Sequence, residues 1–275
     1  MSLQRYCFFC RYANFIQKSF KVSEYFINFN HQKPYITHFT LVHIQDFPYL
    51  CTMFTRTIQL LGEQGFQTLQ RTRVILFGVG GVGGWCAEVL LRTGIGHLTI
   101  VDFDQIDITN INRQVVATHT NIGQSKVMQM RDRLLSIHPL ADIQAIDCQY
   151  NAETVNIFNL SEYDIVVDAI DMVDCKMLLL NQATKAGCRV YSSMGAGRKT
   201  DPQKVRTAEF WKVTGCPLAR ALRTRMKKQN MLPSAPIRCV YSEEISGEQG
   251  TLATVVGVFG MTLAGMIITD CTSQH

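Results

Sequence analysis

The stretch that most restricts what this chain can become is RVILFGVGGVGGWCAEVLLRTGIGHLTIVD, Arg73 to Asp102. Val74–Phe77 is a short apolar, β-branched run that reads as a buried strand. Gly78-Val79-Gly80-Gly81-Val82-Gly83 follows directly and matches G-x-G-x-x-G. Trp85, Val89 and Leu90 then give a helical pattern that Gly94 and Gly96 stop. A second apolar strand, Leu98–Val101, ends in Asp102, 19 residues beyond Gly83. Strand, glycine turn, helix, strand and acid is the order of a nucleotide-binding βαβ unit. Glycines let the backbone turn tightly and approach a phosphate with no Cβ in the way. The helix N-terminus offers that anion unpaired N–H groups, and an acid at the second strand tip can accept from ribose hydroxyls. Alone, the glycine run suits NAD, FAD, SAM or ATP.

The rest of the chain extends this unit into an α/β fold. Thr55–Gly65 reads as a short helix closed by glycine, and Asn121–His138 as an amphipathic helix with Val127, Met130 and Leu134 on one face. Asp142–Asp147, Ile165–Val167 and Arg189–Ser192 read as strands, Met177–Ala186 as a helix stopped at Gly187, and Arg238–Glu243 as a further strand. Alternating strands and helices predict a doubly wound, Rossmann-like, mostly parallel sheet with helices on both faces. Leu252–Ile268 is an apolar run near transmembrane length. Its closely spaced Gly257, Gly260, Ala264 and Gly265 favour a buried helix packed on the sheet or on a second subunit over membrane insertion.

Residues 1–52 differ from the remainder: they hold 13 of the 26 aromatic residues and show no steady period. They read as an extension of unknown role before a domain spanning 53–275, or as sequence upstream of a true start at Met53, with a membrane-surface or organelle-directing segment as the alternative. The ten cysteines form no disulfide framework, which suits a reducing cytosol. Cys7-x-x-Cys10 is the one close pair, so no structural zinc is expected. Charge is unevenly placed. Ten Lys/Arg against Asp201 and Glu209 give residues 198–228 a net +8, leaving −3 for the rest of a chain at +5. Such asymmetry points to a polyanionic partner.

A hydride-transfer site needs no ring of cations around an acid, yet this chain has one. Asp102 and Asp104, then Asn112 and Arg113, lie in one loop after the second strand. Lys126 stands thirteen residues further on, Asp171 follows the strand ending at Asp168, and Arg56 precedes the unit. Cleavage of a triphosphate uses such a set: cations offset charge on the leaving pyrophosphate and a carboxylate holds Mg²⁺.

These residues resemble the E1-like ThiF/MoeB superfamily of ATP-dependent adenylating enzymes over about residues 53–275. RTIQLLGEQG, NINRQ, NIGQSK, DAIDMVDCK, GAGRKTDP, CPLARALR and CVYSEE most resemble its tRNA threonylcarbamoyladenosine dehydratase branch. The resemblance implies ATP-dependent adenylation of the side-chain carboxylate of the modified nucleoside at position 37 of tRNA, followed by its cyclisation. It implies that Gly78, Gly80, Gly81 and Gly83 cradle the phosphates, with Asp102 on the ribose and Asp104 nearby. It further implies that Asn112, Arg113 and Lys126 would contact the phosphates, that Asp171 would hold Mg²⁺, and that Arg56 would reach the other active site of a homodimer.

Each residue has a plainer reading as well. Asp104 could cap a turn, Lys126 could be a solvated helix lysine, and Asp168 reads as a strand-end residue. Cys239 matches a cysteine of this branch and is a candidate reactive thiol for a sulfur-transfer or cysteine-desulfurase partner, or equally a strand residue. Arg220, Arg223, Arg225, Lys227 and Lys228 are the candidate tRNA contacts, or a solvated helix face. The rival functions are an activator of a ubiquitin-like sulfur carrier and an NAD-binding oxidoreductase.

Overall fold

The computed structural model describes residues 53–244 and 247–273; the readings made on residues 1–52 lie outside them. In chain order the elements are α1 (Thr55–Arg71), β1 (Arg73–Phe77), α2 (Gly81–Thr93), β2 (His97–Asp102), α3 (Lys126–Ile137), β3 (Asp142–Asp147) and β4 (Ile165–Asp168). There follow α4 (Val173–Lys185), β5 (Arg189–Ser193), β6 (Val205–Glu209), α5 (Pro217–Gln229), β7 (Ile237–Ser242) and α6 (Ala253–Thr272). The strands form one sheet in the order β3-β2-β1-β4-β5-β7-β6. All pairs are parallel except β6 with β7.

Alternation along the central strands builds the two layers. Val74 and Leu76 of β1 pack into a core with α2, α3 and α6, and Ile75 and Phe77 into a second core with α4 and α5. Helices therefore cover both faces, as a parallel sheet requires. Because β1 pairs with β2 on one side and β4 on the other, the chain reverses its winding between β1 and β4. The crevice beyond the strand carboxyl ends at such a reversal is where ligands bind.

Several boundaries differ from the sequence reading. The first helix does not close at Gly65: Gly62 interrupts it at φ 72° and the helix resumes to Arg71. The Asn121–His138 helix begins only at Lys126, since Asn121 closes a local turn, accepting from the Thr118 N–H at 2.9 Å and donating to the Val116 carbonyl at 2.8 Å. α4 begins at Val173 rather than Met177, with the charged Lys176 wholly buried in its first turns. The last strand spans Ile237–Ser242 instead of Arg238–Glu243. The antiparallel edge strand β6, inside the basic segment, carries mostly half-buried and exposed side chains and no apolar run to announce it.

The apolar C-terminal helix lies across α2. It is long and apolar enough to cross a membrane, yet Val255, Phe259, Leu263 and Ile267, one stripe at four-residue spacing, are fully buried. Its small residues allow close approach. A Cβ on Gly260 would fall 2.5 Å from the Val82 carbonyl and 2.8 Å from Trp85 Cβ.

Candidate nucleotide and acyl-transfer cleft

Strands β1 to β5 each deliver the next loop to the same crevice, a cavity of about 300 Å³. β1 contributes Gly78, Gly80 and Gly81, and β2 contributes Asp102, Phe103 and Asp104. β3 adds Cys148, Gln149 and Tyr150, while β4 adds Ala169 to Met172 and β5 the segment from Ser193. Arg113 and Gln114 enter from the long connection between β2 and α3, and Lys126 from the first turn of α3.

The glycines divide their work. Gly78 has φ 87°, a left-handed conformation open to few other residues, and a Cβ there would stand 2.8 Å from the Ala169 carbonyl. Gly83, expected to cradle phosphate, does not line the cleft: a Cβ on it would lie 1.8 Å from the Gly78 carbonyl, so it sets the packing of α2 on the turn. Gly80 is open toward the cleft, with the Gln114 side-chain amide as its nearest neighbour at 3.7 Å.

Asp102 braces the turn from the other side. One carboxylate oxygen accepts the Val79 N–H at 2.7 Å and the other accepts the Asp104 N–H at 2.9 Å. Burial pushes its carboxyl above the ordinary range, opposed by the nearby Lys126 charge and these two hydrogen bonds. Lys126 is buried, its ammonium 2.8 Å from Asp104 and 4.0 Å from Asp102. The solvated-lysine reading is thereby replaced.

Arg113 is held by one nitrogen, which donates to the Thr109 carbonyl at 2.8 Å and to Asn112 Oδ1 at 2.9 Å. Its remaining N–H groups take no partner among the described residues. Asn112 does not line the cleft but donates to the Thr251 carbonyl at 3.3 Å. Asp171 lies exposed at the cleft and makes no hydrogen bond or ion pair among the described residues.

Other candidates stand elsewhere. Arg56 is exposed on α1 and lines no part of this cleft. Cys239 is fully buried in the second core, and burial pushes its thiol far up, the opposite of a reactive cysteine. On the basic helix α5, Arg223 donates to the Phe210 and Trp211 carbonyls, Arg225 pairs with Asp174 at 2.8 Å, and Lys227 lies over the Trp211 ring at 5.6 Å. Arg220 and Lys228 stay exposed and without an ion pair among the described residues.

The sequence reading passed over Gln114 and Tyr150, both buried and lining the cleft, with a Gln114 oxygen and the Tyr150 hydroxyl lacking partners among the described residues. Gln114 sits in the quoted N-x-N-R-Q loop and could have been found. Tyr150 follows β3 with no local motif to mark it.

A glycine turn at the switch point of a doubly wound sheet, faced by two cations and a free carboxylate, defines a nucleotide-binding domain directed at a polyphosphate. The chain belongs to the ThiF family, whose model matches residues 54–273. The tRNA threonylcarbamoyladenosine dehydratase of Bacillus subtilis is 36% identical over 191 residues, 70% of this chain and 74% of that protein. The Escherichia coli tRNA threonylcarbamoyladenosine dehydratase is 33% identical over 196 residues, 70% of this chain and 73% of its own. The crystal structure of that E. coli enzyme in complex with ATP superposes with a TM-score of 0.76, covering 81% of this chain and 95% of its own at 29% identity.

Proposed function

We propose that this chain is an ATP-dependent tRNA threonylcarbamoyladenosine dehydratase, which adenylates the side-chain carboxylate of the modified nucleoside at position 37 and promotes its cyclisation. The observation that carries this reading is the convergence of Gly80, Arg113, Lys126 and Asp171 on one cleft. The relatives named above support the tRNA substrate, and the E. coli structure with ATP supports the nucleotide.

The chemistry follows from the placement. Backbone N–H groups at the start of α2 and the open face of Gly80 receive the phosphates. Asp102, its oxygens largely occupied by Val79 and Asp104, orders the turn and presents its edge to the ribose. Phe103, Tyr150 and Met172 form the apolar wall for the base. A carboxylate oxygen of the substrate attacks the α-phosphorus in line, the bond to the bridging oxygen breaks, and pyrophosphate leaves. Lys126 and the unpaired donors of Arg113 offset the charge growing on the phosphate oxygens. The acyl adenylate then closes within the nucleoside and releases AMP.

Magnesium fits this donor set. No cluster of three or more His, Cys, Asp or Glu that could hold a metal occurs among the described residues. A cation using one protein carboxylate completes its shell from phosphates and water, the habit of Mg²⁺. Asp171 is the residue that would hold it, and the ion would supply charge neutralisation at the phosphates. Arg56, exposed on α1 and away from its own cleft, is assigned to the second active site of a homodimer. The free cysteines among the described residues fit a reducing, cytoplasmic setting.

ATP–pyrophosphate exchange tests the reading directly. Purified tRNA bearing the threonylcarbamoyl group should support exchange, while a carrier protein ending in Gly-Gly should not. Exchange with the carrier alone overturns the assignment.

A further inference from the structure

We propose that the buried pair Asp168–Lys176, tied off by Ser192, is a positioning element that holds Asp171 in register with the phosphate seat. The proposal rests on the adenylation reading above and on Asp171 as the magnesium-holding residue. Neither charged side chain has any solvent exposure, and the ammonium stands 2.7 Å from Asp168 Oδ2. Neither lines the cleft, so any effect on the reaction passes through the loop between them.

The hydrogen bonds converge on one peptide unit. Lys176 Nζ donates to the Ile170 carbonyl at 3.0 Å, and the Ile170 N–H donates to Asp168 Oδ1 at 3.1 Å. The Ser192 hydroxyl, one strand over on β5, donates to Asp168 Oδ2 at 2.6 Å. Both main-chain polar groups of Ile170, the residue before Asp171, are thus pinned from beneath. From above, the Ala169 N–H donates to the Phe77 carbonyl at 2.9 Å, and the Ala169 carbonyl lies against Gly78 so closely that a Cβ would approach it to 2.8 Å. The loop carrying Asp171 is clamped between the glycine turn and the ion pair.

Stability alone is a poor reason for this pair. Desolvating two charges is costly, and apolar replacements of similar size are often neutral or stabilising. A lysine in the first turns of α4 is also the wrong sign for the helix dipole. What the arrangement supplies is a fixed backbone at residue 170, and hence a fixed origin for the Asp171 carboxylate.

The test uses the full chain and the variant Asp168→Asn/Lys176→Met, which removes both charges at nearly constant volume, while the Asn oxygen still accepts the Ile170 N–H and its amide N–H can donate to the Ser192 hydroxyl. Metal affinity is read as the Mn²⁺ half-saturation concentration by electron paramagnetic resonance with a non-hydrolysable ATP analogue. Thermal unfolding and metal-free nucleotide binding are measured in parallel. The double variant should unfold near the wild-type temperature and bind metal-free nucleotide normally, with Mn²⁺ half-saturation raised at least tenfold. A folded double variant with wild-type Mn²⁺ affinity overturns the proposal. If the double variant does not fold, Ser192→Ala decides: a rise of two- to threefold supports the proposal and no change overturns it. Asp171→Asn separates the two claims. Unchanged Mn²⁺ affinity there refutes Asp171 as the metal ligand, whereas loss there beside an unaffected pair variant refutes the positioning role alone.

Discussion

Lys126 grips Asp104 twice, through its backbone N–H to the Asp104 carbonyl at 2.9 Å and through its ammonium to the carboxylate at 2.8 Å. The second acid, Asp102, lies 4.0 Å from the same ammonium and is itself buried. One lysine therefore offsets the charge of two neighbouring carboxylates, and it does so at the lining of the cleft beside the glycine turn.

Replacing it should expose that arrangement. Lys126→Met should lower pyrophosphate exchange by about 100-fold or more, the scale for removing one preorganised charge partner of a transition state. Its pH signature follows from Asp102, whose carboxyl is already raised from the ordinary 3.8 by burial and would rise further without the ammonium. A carboxyl raised in the folded state contributes stability at low pH that is lost as pH climbs through its folded value. The gap in unfolding free energy between wild type and variant should thus widen as pH rises from about 4. Denaturant melts across that range check it, and a gap independent of pH would sink the coupling.

Two glycines three positions apart should answer differently to the same substitution. Gly83→Ala places a Cβ 1.8 Å from the Gly78 carbonyl and must force the turn apart. We expect a loss of about 3 kcal/mol or more, as for severe overpacking. Gly80→Ala meets only the Gln114 side chain at 3.7 Å, an ordinary contact, so its stability should change by less than about 1 kcal/mol. Its Cβ nonetheless occupies the cleft, and ATP affinity should fall at least tenfold. Calorimetric melting and nucleotide titration together decide. Equal destabilisation of the two variants would contradict the division of roles.

On α5 the five cations are not equivalent. Arg223 and Lys227 secure the Phe210–Trp211 corner and Arg225 answers Asp174, whereas Arg220 and Lys228 are uncommitted among the described residues. Arg220→Gln/Lys228→Gln should weaken tRNA binding and make the slope of log K against log salt shallower by about 1.5, as two lost phosphate contacts require. The melting temperature should hold. Filter binding across a salt series measures the slope. An unchanged slope would return this helix face to plain solvation.

How much of this was legible in the chain depends on what fixes each residue. The Arg73–Asp102 unit was readable because most of its constraints are local: the turn gives Gly78 a positive φ, Gly83 packs on the Gly78 carbonyl, and Asp102 bonds back to Val79. Arg113 and Asp171 could be drawn to one site because each follows a strand that the pattern could place, and Lys126 because it falls in the helix read from Asn121, although the helix opens only at Lys126. Tyr150 could not, since its cleft position arises from packing on Phe77, with ring centroids 4.9 Å apart, and leaves no periodic trace. Lys176 was hidden for the opposite reason. A lysine in a polar stretch reads as solvated, and only the tertiary pairing with Asp168 makes its burial possible. Gly83 shows a third limit, for the motif specifies glycine at that position without saying whether it faces phosphate or helix.

Cys239 provides the last test. The thiol lies in the middle of β7, with no solvent exposure, and burial drives its ionisation upward. A thiol in that setting neither forms thiolate nor meets a reagent. Cys148 and Cys175, by contrast, are partly exposed, and Cys148 lines the cleft. Iodoacetamide on the native protein followed by peptide mapping should therefore mark Cys148 and Cys175 while sparing Cys239. A bound ATP analogue should slow labelling at Cys148 alone of these three, because it would occupy the space beside that sulfur. Cys239→Ala should leave pyrophosphate exchange close to wild type and cost about 1 kcal/mol for the vacated apolar space. Rapid labelling of Cys239 in the native state would mean that β7 opens on the timescale of the reaction, and the residue would return to the active site as a thiol exposed by local unfolding.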